Sequence, residues 1–111
     1  MNTKTLIAAL LGAAPILAFG AGSTGPVVAT SYEIDSWDQV LIVNGAWANP
    51  DSCGTSSYVI IQMSNSSYKD MFATVLAAGL SGKELSFWVS GCVTGPWGAT
   101  APLVLDTTIA F

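Results

Sequence analysis

CGTSSYVIIQMSNSSYKDMFATVLAAGLSGKELSFWVSGC, residues 53–92, runs between the two cysteines of the chain and holds the elements that decide its fold. Its middle reads as one helix. Ser67 stands as N-cap with Asp70 three residues on, a capping-box-like pair. Tyr68, Met71, Phe72, Val75 and Leu76 then recur at helical spacing and are expected to cover the core. Gly79 falls where a left-handed C-terminal cap is expected, with Ser81 and Gly82 as the exit. Before the helix, residues 57–63 read as a strand whose centre, Tyr58-Val59-Ile60-Ile61, is rich in β-formers. After it, residues 84–90 read as another strand, ending at Gly91 and Cys92.

Outward from this stretch the chain continues in strands. Residues 27–34 and 39–44 read as an antiparallel pair around the turn Asp35-Ser36-Trp37-Asp38, whose short polar side chains bond neighbouring backbone. Residues 45–55 form a long loop around Asn49-Pro50-Asp51-Ser52-Cys53-Gly54, where the proline excludes a central strand. Residues 93–102 form a second long loop with Gly95-Pro96-Trp97-Gly98 at its tip. Residues 103–111 are the last strand, with Leu103, Leu105, Thr107, Ile109 and Phe111 alternating onto one face. Residues 21–26 are a small leader expected to start disordered. The class is all-β with one helix, in the order β-β-β-α-β-β. That order predicts a small five-stranded Greek-key barrel with its helix between strands three and four, the OB-fold arrangement. An open antiparallel sheet with one covering helix is the competing architecture.

Residues 1–20 read as a secretory signal peptide. Lys4 supplies the positive start, residues 6–18 form an apolar run without charge, and Ala18 and Gly20 are the small residues a signal peptidase inspects. Cleavage is expected after Gly20, with Gly22 as the alternative, which leaves one domain over residues 21–111. The run is shorter than the roughly 20 residues that span a bilayer. The expected location is therefore secreted or periplasmic. In an exported chain two cysteines most simply pair. A Cys53–Cys92 bridge closes a loop of about 40 residues, which the chain-entropy model values at roughly 4 kcal/mol. Two free thiols in a metal or redox site are the alternative. They would form no CxxC and have no histidine partner.

Several phrases carry a resemblance: Cys53-Gly54, Tyr58-Val59-Ile60, Tyr68, Met71, Leu76-Ala77-Ala78, Ser81-Gly82-Lys83 and Gly91-Cys92. Together they resemble short exported bacterial OB-fold proteins, which are themselves similar to the receptor-binding B subunits of AB-type toxins. The resemblance implies a pentamer with helices facing a central pore and outer surfaces that bind glycans. The helix itself bears on assembly. Opposite its apolar arc lie Asp70, Ala73, Thr74 and Ala77, where small side chains let a neighbouring helix approach, so these four are the candidate oligomer interface.

Composition narrows function by exclusion. The 111 residues carry three Lys and Arg together against seven Asp and Glu, a net charge of −4, with no histidine. Loss of Lys4 with the leader leaves Lys69 and Lys83 as the cations, and there is no arginine. Polyanion binding needs cations that displace counterions, so nucleic acid and acidic membrane surfaces are poor partners. Without histidine there is no imidazole base or imidazole metal ligand. Glu33, Asp35 and Asp38 flank an expected turn and lack calcium-loop spacing. Asn65-Ser66-Ser67 matches a glycosylation sequon, which means little in a bacterium. The chain is expected to be no enzyme and to hold no cofactor or metal.

The tryptophans point to binding. Trp47 with Asn49 and Asp51, and Trp97 in its Gly/Pro loop, are the candidate ligand-binding residues. Flat aromatic rings pack on the C–H faces of sugars while amides and carboxylates bond the hydroxyls. Trp88 is expected to pack instead. The function expected is a non-enzymatic exported subunit that self-associates in a ring and binds glycan or a partner protein. A monomeric periplasmic protein-binding or inhibitor module is the alternative. A membrane barrel, suggested by the terminal Phe111 and alternating last strand, needs at least eight strands and is set aside.

Overall fold

The computed structural model describes residues 21–110, so the expected leader 1–20 and Phe111 lie outside the described residues. Seven elements follow in order: β1 (Gly22–Ser23), β2 (Ser31–Asp35), β3 (Val40–Asn44), β4 (Tyr58–Gln62), α1 (Tyr68–Ser81), β5 (Leu85–Thr94) and β6 (Thr100–Ile109). The six strands form one sheet in the order β1-β5-β6-β4-β3-β2. All pairs are antiparallel except β4 with β6. The protein is thus mostly β with one helix and one disulfide, Cys53–Cys92, whose Cα atoms stand 5.6 Å apart.

The two ends of the strand order belong to one short segment. Gly22 and Ser23 pair with Val89 and Trp88, Val27 forms a bridge with Leu85, and by Ser31 the chain has moved to β3. Residues 21–26 are therefore not the disordered leader the sequence suggests. Thr24 is buried there, its hydroxyl accepting the Phe87 N–H at 3.0 Å. A short backbone-paired strand replaces the expected loose start, which raises the strand count from five to six.

The central ribbon β3–β4 explains its own sequence. Val-Leu-Ile-Val and Tyr-Val-Ile-Ile are continuous apolar runs, and both faces of these strands are buried. Leu41, Val43, Val59 and Ile61 enter the main core with Phe87, Val89 and Val104. Val40, Ile42, Tyr58 and Ile60 enter a second cluster on the opposite face, with Ala101 and Val93. Unbroken hydrophobic runs are the mark of strands covered on both sides.

Two irregularities let β5 and β6 serve both clusters. Trp88 pairs with Asp106 but Val89 pairs with Val104, so Leu105 is an extra residue in β6; a second shift follows between Val89 and Cys92. A bulge inserts one residue and reverses which face the later side chains take. Val104, Thr107 and Ile109 thereby share the inward face, opposite Val89, Phe87 and Leu85, while Leu105 is 42 % exposed. The simple alternation read for Leu103, Leu105 and Thr107 is corrected by that bulge. On β5 the second shift spans Gly91 at φ +75, a left-handed value that suits glycine. The expected long loop 93–102 is instead a tight hairpin, Gly95 N–H bonding Ala99 O at 2.8 Å, and Cys92 lies within β5 rather than at its end.

The helix begins as expected after Ser67, although the Ser67 side chain makes no capping bond. It runs past Gly79 and ends at Gly82, whose φ of 69 lets its N–H reach Ala78 O. Met71, Val75 and Ala78, at spacings of four and three, form the buried stripe; Leu76, expected to share it, is 37 % exposed. None of the helices among the described residues is long and apolar enough to cross a membrane.

Candidate binding surfaces

The loop between β3 and β4 is built inward. Trp47, expected to offer its ring to a ligand, is 4 % exposed. Its indole N–H donates to Val43 O at 2.9 Å, and its ring meets Phe87 edge-on at 4.9 Å. A Cβ on Gly45 would lie 3.0 Å from that ring, so a side chain there would have to push the ring aside. Trp47 is a core residue, because a buried indole with its N–H satisfied gives up most of its surface to packing. The expectation of a sugar platform there is corrected.

Asn49 and Asp51 are likewise engaged. The Asn49 amide donates to Cys53 O at 2.9 Å, and the Cys53 N–H donates to its Oδ1 at 2.8 Å. Gly91 N–H donates to Asp51 Oδ2 at 2.6 Å, across to β5; Asp51 Oδ1 is buried with no hydrogen-bond partner. Gly54 and Thr55 N–H groups bond Thr100 Oγ1 and O at 2.7 and 2.8 Å. These bonds and the disulfide pin the loop to the base of the β5–β6 hairpin; of the candidate ligand residues Asp51 makes such a bond across, Asn49 braces the loop from within and Trp47 packs in the core.

Trp97, the fourth, sits at the hairpin tip and is 59 % exposed. One edge of its contact is fixed by Tyr58, centroid to centroid 5.5 Å at 73°. A ring held on one side and open on the other suits contact with a flat apolar face. Two further tryptophans face outward. Trp88, expected to pack, is 45 % exposed because its neighbour Phe87 takes the inward position. Trp37 is 92 % exposed in the turn between β2 and β3, where the Asp38 N–H bonds Asp35 Oδ1 at 2.9 Å. The turn chemistry around Trp37 was visible in the sequence; nothing there told which of four tryptophans would be left in water.

On α1, Asp70, Ala73 and Ala77 are exposed and Thr74 is half-buried, its hydroxyl donating to Asp70 O at 2.9 Å. Asp70 and Thr74 line a shallow polar groove of about 200 Å³ against Leu105, Asp106 and Thr107 of β6. Ala73 and Ala77 share the water-facing side with Leu76 and with Leu80, which is 81 % exposed. A second, more apolar groove of about 370 Å³ separates α1 from β2. Phe72 of α1 meets Tyr32 edge-on at 5.6 Å.

Among the described residues no three histidine, cysteine or carboxylate side chains gather as a metal site. Both thiols are in the disulfide. What the surface offers chemically is aromatic rings, small helix residues, open carboxylates and a strand edge. Comparison with protein-family models, curated proteins and solved structures finds no match to this chain.

Proposed function

We propose that this is an exported, non-enzymatic OB-fold subunit that self-associates through α1 and presents Trp97 to a glycan or a partner protein. The fold part is supported by the strand order. A helix between β4 and β5, a parallel β4–β6 pair, and an N-terminal segment touching both β5 and β3 are the connections a closed five-stranded Greek-key barrel requires, with β1 and β2 as two halves of its first strand. The observation that carries self-association is the outer face of α1. Ala73, Leu76, Ala77 and Leu80 lie in water together, on an element whose ordinary exposed face would be charged. The lack of histidine and the paired thiols support a binding role over a catalytic one.

A glycan-binding screen on the purified protein, set beside its Trp97→Ala variant, tests the ligand half. The expected outcome is loss of binding in the variant with an unchanged fold by circular dichroism. Equal binding by the two would return Trp97 to a packing role on Tyr58.

A further inference from the structure

Strand β2 is bonded along one side. Its five residues pair in register with β3, from Ser31 opposite Asn44 to Asp35 opposite Val40, and it ends the strand order among the described residues. Whereas β3 is buried on both faces, Ser31, Tyr32, Glu33 and Ile34 are all exposed, Ile34 at 52 %. An open edge of this kind is a template for a further strand.

The alternation along β2 describes what that strand must carry. Tyr32 and Ile34 stand opposite Val43 and Leu41, on the main-core side where α1 lies, and the apolar groove beside them is walled by Val75, Leu76 and Leu80. Glu33 and Asp35 fall on the other face, followed by Asp38, with the open ring of Trp37 between. A second copy is a poor match. Pairing β2 with itself sets Glu33 and Asp35 against their own kind, which is unfavourable across a strand pair. The lysines of the described residues, Lys69 and Lys83, lie in the first turn of α1 and just beyond its end, so among the described residues no strand carries a cation. A strand with Lys or Arg at alternate positions would neutralise Glu33 and Asp35 and place a cation over the Trp37 ring. Its apolar positions would then enter the α1–β2 groove.

We infer that the free edge of β2 docks an extended, cationic segment of another protein, added as a strand beside Ser31–Asp35. This does not rest on ring assembly through α1. Fluorescence anisotropy of a labelled peptide of alternating Lys and Val against the purified protein tests it. Saturable binding is expected, weakened at least ten-fold in Glu33→Gln/Asp35→Asn and several-fold in Trp37→Ala. The same peptide interrupted by a central proline, which cannot donate to a ladder, should also bind at least ten-fold more weakly; this arm needs no change to the protein. A Glu84→Gln/Asp106→Asn control should bind as the parent does. Equal loss in that control would reduce the effect to general charge attraction. Undiminished binding of the proline peptide, no binding at millimolar protein, or an edge that dimerises when Glu33 is neutralised would each overturn the inference.

Discussion

At the scale of single residues, Trp47 and Trp97 show how little residue type says about role. Both sit within two residues of a glycine in loops that the sequence marks equally well. Trp47 turned inward because Gly45 lets its ring lie against the backbone and Val43 O takes its N–H. Replacing Trp47 by alanine empties the space beside Phe87 and should cost about 3–5 kcal/mol in urea unfolding. A cost below about 1 kcal/mol would mean the ring is not part of the core. Trp97→Ala, at an exposed tip, is expected to stay within about 0.5 kcal/mol of the parent in the same measurement. Asn49 and Asp51 were legible as loop residues, but the partners they bond, Cys53 and Gly91, are set by tertiary approach. Sequence spacing carries no sign of the Asp51–Gly91 contact, which joins the loop to β5 across 40 residues.

At the scale of elements, local pattern was a good guide where an element keeps one pattern throughout and a poor one where the chain changes face. The helix start, the β3 and β4 runs and the β2–β3 turn were all visible, since period and turn chemistry are local. Its C-cap was displaced from Gly79 to Gly82 because the buried stripe ends on Ala78 and three more residues complete the turn. The β6 bulge was hidden. Leu105 looks like a core residue by alternation and is the extra residue that sends Thr107 and Ile109 inward. Deleting Leu105 should therefore restore regular pairing, keep Thr107 and Ile109 inward and change stability by less than about 1 kcal/mol; without the bulge the same deletion would turn Ile109 outward and cost more than about 2 kcal/mol, the value of burying one such side chain. Thermal unfolding checks it, and a large drop in the midpoint would mean that β6 runs in regular register. Mutating Leu105→Ser, which keeps the residue count, should likewise be nearly neutral.

For the whole molecule, the stretch from Cys53 to Cys92 ties together the surfaces that the proposed function uses. The disulfide, the Asp51–Gly91 bond and the Thr100 bonds fasten the 45–57 loop to the hairpin that bears Trp97. The mostly-β class with its single helix and the bridge were legible, because period and cysteine number are written in the chain. The N-terminal strand β1 was not, since Gly22 and Ser23 have no strand signature and are held by backbone pairing to β5. The strand order leaves three distinct surfaces: the Trp97 tip, the acidic β2 edge, and the small-residue face of α1. The last of these makes self-association the central claim. Sedimentation equilibrium on the purified protein at micromolar concentration tests it most directly, alongside Ala77→Glu. The account predicts a discrete multiple of the subunit mass that falls to monomer in the variant; a monomer from the start, or a multiple that Ala77→Glu leaves intact, would contradict it.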